Sequence, residues 1–168
     1  TVYPKNQTGS PDLEKTVRED KNSTGKNGGT ANIADGYAPT ATASVGDVVD
    51  YQIISTLPTI PSKATSLTTY TFVDTLSEGI RYRSDVVIEF FRDAGCTDQI
   101  TAWDEDSGKF VVSYDDAQNT MTIGMTETGL ADINESESVY TGSVKRGYSD
   151  CTMRITYAAT LTADAQLG

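Results

Sequence analysis

Six stretches of the chain alternate in character with a period of two: DVVDYQIISTL (47–57), TYTFVDTL (69–76), DVVIEFF (85–91), KFVVSY (109–114), NTMTIGM (119–125) and CTMRITYAATL (151–161). All are rich in Val, Ile, Thr, Tyr and Phe, and Gly, Pro, Asn and Asp turns separate them. Successive side chains of a strand point to opposite faces, so such segments suit a pleated, half-buried surface. LEKTVRE (13–19) adds a candidate first strand, and only TGLADINESE (128–137) has helical character. No strand–helix–strand alternation argues for a parallel sheet. The pattern predicts an all-β, Ig-like antiparallel β-sandwich with Greek-key-like connections.

At 168 residues and 37% hydrophobic content the chain can bury a real core. A single sandwich is expected over residues 13–168, preceded by a connector over 1–12. Between the first two strands runs KNSTGKNGGTANIADGYAPTATASVG (21–46), a long polar loop heavy in Gly, Asn and Thr. It is expected to be an exposed excursion outside the core. The chain has no initiator Met, no signal segment and no apolar run near the length of a membrane span. It is therefore expected to be a fragment of a longer protein, without membrane insertion of its own.

The formal charge of −11, from 24 acids against 13 bases, argues against nucleic acid or anionic lipid as a partner. Histidine is absent. That removes the usual general base and the commonest metal ligand, so His-dependent triads and zinc sites are excluded. No cofactor, metal or enzymatic turnover is expected. Cys96 and Cys151 lie far apart in no CxxC arrangement. They fit either one long-range disulfide in an oxidising compartment or two unrelated thiols.

DEDSGK (104–109) has acids spaced like the start of a calcium loop but lacks the later ligands and the closing Glu, so a solvated turn is expected. YDDAQN (114–119) is a turn between two strands. The sequons NQT, NST and NES are chance matches in Asn- and Thr-rich segments, and Trp103 is a core or edge anchor.

Two charges stand on apolar faces. In TYTFVDTL, alternation groups Asp74 with Tyr70, Phe72 and Leu76; in LEKTV it groups Lys15 with Leu13 and Val17. The two fit a buried pair. They fit equally a lysine snorkelling at an edge and an aspartate ending its strand as a turn acceptor.

The opening TVYPKN sets Lys5 between Pro4 and Asn6. YPKN resembles the pilin motif of Gram-positive sortase-assembled pili, whose lysine is the nucleophile that joins one subunit to the sorting-signal threonine of the next. LEKTV, VGDVVDYQIISTLP, YTFVDTLSEGI and MRITYAATLTADAQLG follow in the order seen in the isopeptide-forming, collagen-adhesin-like middle domain of backbone pilins. The resemblance implies an extracellular, wall-anchored shaft subunit. Lys5, with motif residues Tyr3, Pro4 and Asn6, would take the intersubunit linkage. The partners implied are other pilin subunits, a pilin-specific sortase and a host surface ligand. A sortase acyl-enzyme is attacked by a neutral amine held in a defined orientation. Pro4 fixes its own φ and pushes Tyr3 toward an extended conformation, presenting Lys5 from a strand-like edge. The competing reading is a non-polymerising adhesin stalk or ligand-binding module of the same fold, with TVYPKN only a linker.

The resemblance also implies an internal amide between a first-strand lysine and a last-strand asparagine, assisted by a buried acid. Low dielectric favours the neutral amine and the protonated carboxyl that this chemistry needs. Lys15 and Asp74 match the lysine and the acid. Where the family pattern is YxATLN this chain has YAATLT, so Thr162 stands at the asparagine position. Threonine has no side-chain carbonyl, and the bond is expected to be absent; Asp164 is the acid two residues on. Alternation places Thr162 with Thr160, Thr156 and Arg154, opposite Met153, Ile155 and Tyr157, so aiming it inward needs a bulge or a strand covered on both faces. Lys15 and Asp74 should then persist as a buried ion pair worth about 3–5 kcal/mol when broken. Lys15→Ala is expected to destabilise far more than Lys5→Ala. For a secreted protein a Cys96–Cys151 bridge is the alternative staple, closing roughly 55 residues for about 4 kcal/mol at most.

Overall fold

Each alternating segment becomes a strand, and the strands form two packed sheets. The computed structural model describes residues 5–9, 12–19, 37, 45–57, 65–135, 139–141, 144–146, 148 and 150–162. One sheet has the order β2 (Asp12–Glu19), β3 (Val48–Thr56), β11 (Thr152–Leu161) and β5 (Ile80–Tyr82), with β6 (Val87–Phe91) also pairing β11. The other runs β1 (Lys5–Gly9), β4 (Thr65–Thr75), β8 (Thr120–Met125) and β7 (Phe110–Asp115). A short helix, α1 (Glu127–Glu135), follows β8, and β9 (Val139–Thr141) pairs β10 (Val144–Arg146) as a separate hairpin. This is the all-β sandwich that the period-two pattern predicts.

The connector expected over residues 1–12 is, in its described part, two strands. Residues 5–9 form β1, which pairs with β4 in parallel, and β2 begins at Asp12. The four-stranded sheet is therefore not wholly antiparallel. KNQTG has no alternating apolar residues, so nothing local marks it as a strand; its ladder with β4 makes it one. Most of the long polar loop, together with Tyr3, Pro4 and Asp164, lies outside the described residues, as do the side chains of Lys5 and Asn6.

The core lies between the sheets. Tyr70, Phe72 and Leu76 of the β4 segment meet Ile53 of β3, Met153, Ile155 and Tyr157 of β11, and Met121 and Ile123 of β8, each at most 5% exposed. Trp103 is the anchor expected of it, 1% exposed and stacked on Phe90 at 4.6 Å between ring centroids. Such side chains each contribute about 1.5–3 kcal/mol by leaving water. β11 is covered on both faces, because outward-facing Thr152, Thr156 and Ala158 are as buried as their inward neighbours.

The turn chemistry follows the sequence. Asn119 takes a left-handed φ of 50° and donates from its amide to the carbonyls of Leu76, Ser77 and Ile80, fixing the β4–β5 corner. Thr126 caps α1 by accepting from Gly129 N–H. Gly129 is required there, since a Cβ would lie 2.6 Å from the carbonyl oxygen of Lys109. Asn134 of the NES sequon has its carboxamide on both backbone groups of Leu67.

The register also fixes the two poles of the sandwich. Lys5 lies opposite Thr65 at the start of β4. Ten residues on, β4 ends beside the turn whose Gly79 carbonyl accepts from Thr162 N–H, just past the end of β11. At about 3.3 Å per residue β4 spans ~33 Å, so Lys5 and the exit of β11 lie at opposite ends of the sandwich.

Candidate functional site

The alternation that turns Asp74 inward holds in the structure: Asp74 is 7% exposed, between Phe72 and Leu76 on the core face of β4. Lys15 reaches it from the facing sheet. Its Nζ lies 2.5 Å from Asp74 Oδ1 and 4.6 Å from the centre of the Tyr51 ring. The pair expected from sequence is formed, but it is not wholly buried, because the lysine side chain keeps 34% of its surface in solvent at the β2 edge.

The other carboxylate oxygen is taken by tyrosines. Tyr82 and Tyr157 each donate their hydroxyl to Asp74 Oδ2 at 2.6 Å, and the Tyr82 hydroxyl is also within 2.7 Å of the Asp74 carbonyl. Tyr157 stacks on Tyr51 at 5.3 Å and leans on Tyr82 at 5.6 Å, so three rings wall the site. Burial, with the Asp74 charge adding to it, pushes Tyr51 up to about 12 and Tyr157 well above the usual phenol range. Tyr82 is raised by burial and by its bond to the same carboxylate. All three therefore stay protonated donors at neutral pH. Alternation places Tyr157 inward, but its convergence with Tyr82 and Tyr51 on one carboxylate is a tertiary arrangement with no local signal.

Thr162 is not part of this cluster. It is exposed beyond the end of β11, held through its N–H to Gly79. Lys15 pairs with Ile53, and Ile53 with Ile155, seven residues before Thr162 along the same strand. That offset is about 23 Å. The β11 residue that shares Asp74 with Lys15 is Tyr157.

The Cys96–Cys151 disulfide is not formed, and both residues are thiols. Cys151 is fully buried on the core side of the sheet, just before β11. Cys96 sits half-buried in a turn with a φ of 56°, within the field of Arg154 and Glu89 on the outward side. The five-stranded sheet lies between them. Burial raises the Cys96 thiol above its ordinary value.

A second set of buried charges occupies that outward side. Arg18 Nε donates to Asp50 Oδ2 at 2.9 Å, and Tyr37 covers the guanidinium at 4.4 Å. Asp85 is fully buried where the chain leaves β5 and has not yet joined β6. Its Oδ1 accepts from Ala158 N–H at 2.9 Å, standing in for the missing ladder partner, while Oδ2 has no partner among the described residues. Burial raises the Asp85 carboxyl above the usual range. Asp104 and Glu105 of the calcium-like stretch accept from the backbone N–H groups of Asp106 and Ile88. No group of three or more His, Cys, Asp or Glu among the described residues is arranged to hold a metal ion.

No protein-family profile matches the chain, and no curated protein does. Solved structures share its fold at low identity. The C-terminal domain of the antigen I/II-family protein AspA of Streptococcus pyogenes superposes with a TM-score of 0.56 at 17% identity, over 92% of this chain and 39% of that one. The C-terminal domain of the Streptococcus agalactiae antigen I/II polypeptide BspA gives 0.54 at 14%, over 90% and 41%. The T6 backbone pilin of serotype M6 Streptococcus pyogenes, a modular three-domain structure, gives 0.51 at 15%, over 93% and 26%. The chain thus spans between a quarter and about two-fifths of these proteins. Its fold is that of a backbone pilin and of antigen I/II C-terminal domains.

Proposed function

We propose that this chain is the middle domain of a backbone pilin, an extracellular structural unit of a wall-anchored, sortase-polymerised shaft in which Lys5 accepts the linkage to the next subunit. The observation that carries the reading is the polarity of the sandwich. Lys5, in YPKN, begins an edge strand at one pole, and the chain leaves β11 at the other, the length of β4 away, about 33 Å. A covalent shaft needs its acceptor at one end of each unit and its onward chain at the opposite end. The shared fold of a backbone pilin supports the same reading.

The test uses cells producing the full-length parent protein with Lys5 or with Lys5→Ala. Wall extracts boiled in SDS and reductant are probed for high-mass ladders. A ladder lost only in the variant identifies Lys5 as the polymerising nucleophile. Extracts that both contain monomer alone overturn the reading. The non-polymerising adhesin module then takes its place, favoured by the higher TM-scores to the antigen I/II C-terminal domains.

A further inference from the structure

We infer that the outward face of β4, β8 and β7 is the surface by which this chain packs side by side on a second copy, face to face about a two-fold axis along β8. The inference rests on the shaft reading above, because the two copies belong to neighbouring shafts. The register builds this face from three cross-strand rows: Thr71, Gly124 and Val111; Val73, Thr122 and Ser113; and a last row that ends in Asp115. β1 pairs β4 only as far as Tyr70, so β8 is the central strand of the patch. Val73 at 59% and Val111 at 58% exposure are two of the four exposed large hydrophobics among the described residues, and both stand here. A sheet face that meets only water carries polar residues outward. Here the outward positions are Thr, Ser, Val and Gly, with Asp115 at one corner as the single charge.

Charge selects a second copy as the occupant. Each copy has a net charge of −11, so two copies repel wherever their acids come within a Debye length, ~8 Å at physiological salt. The outward side of the other sheet carries Arg18, Asp50, Arg154 and Glu89, whereas the centre of this face carries no charge at all. The face is also complementary to itself, as an isologous contact requires. Rotation about β8 lays β4 of one copy over β7 of the other. Val73 then sits over Ser113 of the second copy and Val111 over its Thr71, large against small, while Gly124 meets Gly124 with no side chain between. Asp115 faces Thr75, and the two Asp115 carboxylates stay at least two strand spacings apart, ~10 Å. Three strands at ~4.8 Å by five residues at ~3.3 Å give roughly 250 Å² per copy, against the ~800 Å² per partner of a stable complex. One such contact is too weak to persist alone. Repeated along two shafts it adds up, since each repeat is held close once the first has engaged.

Shafts released from cells producing the full-length parent protein test this, with electron microscopy for side-by-side bundles and boiled-SDS ladders for polymerisation. Parent shafts should bundle in physiological salt. Val73→Glu/Ser113→Glu, which sets acid over acid across the two-fold, should abolish the bundles and keep the ladder. Val73→Lys/Ser113→Glu, which sets base over acid, should bundle like the parent. Val45→Glu adds charge at another exposed valine, off this face, and should leave the bundles intact. Laddered parent shafts that lie singly overturn this inference and leave the shaft reading standing. Equal bundling by the two double variants, or dispersal by Val45→Glu, also overturns it. A parent without any ladder overturns both.

Discussion

Asp74 and Asp85 are both buried acids next to β11, yet one is surrounded by donors and the other is not. Asp74 accepts from Lys15, Tyr82 and Tyr157, so both its oxygens are served. Asp85 accepts one backbone N–H, and its second oxygen meets nothing among the described residues. The first belongs to an assembled site; the second is a patch over a gap in a ladder. A buried carboxylate is tolerable only in proportion to the donors it collects. The two residues should accordingly respond in opposite directions when their charge is removed.

Asp74→Ala is expected to have the largest effect. It leaves the buried Tyr157 hydroxyl without an acceptor, at about 1–3 kcal/mol, leaves Tyr82 only the backbone carbonyl of residue 74, and strips Lys15 of its counter-charge. A loss on the order of 4 kcal/mol follows, read from chemical denaturation at pH 7. A variant as stable as the parent would erase the contrast between the two acids.

Lys15→Ala should cost less, about 2 kcal/mol, because a third of the side chain is in solvent and the tyrosines still serve Asp74. The fully buried figure of about 3–5 kcal/mol does not apply at this edge. Lys5→Ala, with no place in this cluster, is the comparison, and its loss should be far smaller. Tyr157→Phe removes one of three donors, for about 1.5 kcal/mol. A cost close to that of Lys15→Ala would mean that hydroxyl and ammonium contribute equally to holding the carboxylate.

Alternation grouped Asp74 and Lys15 with apolar neighbours and put Tyr157 opposite Thr162 along β11, but left a buried pair and an edge lysine equally open; the structure has the pair, with the lysine partly in solvent at the edge. It worked because these strands each have one well-defined core face. It failed where pairing is set by neighbours: β1 has no apolar period of its own, and β5 is three residues long. The motif spacing that put Thr162 near Lys15 disregarded register, which separates them by seven residues of strand. Cys96 and Cys151 could be counted, but which side of a sheet each occupies is a property of the fold. The role of Asp85 was equally hidden, since it depends on a break between β5 and β6 opposite Ala158.

The smallest expected effect runs the other way. Burial raises the Asp85 carboxyl, so the folded chain holds that proton more tightly than the unfolded chain does. Its contribution to stability is fully present below the ordinary aspartate value, about 3.9, and is lost as pH rises through the raised folded value. The charged groups acting on it are Arg83, whose attraction opposes the shift, and Asp50, whose repulsion adds to it. Asp85→Asn keeps an acceptor for Ala158 N–H and removes the charge. It should therefore stabilise by about 1 kcal/mol at pH 7, the scale of one hydrogen bond, and by nothing near pH 3. Melting temperatures of parent and variant across that range decide it. Curves that run parallel, or a variant less stable at neutral pH, would mean that the second oxygen of Asp85 is as well served as those of Asp74.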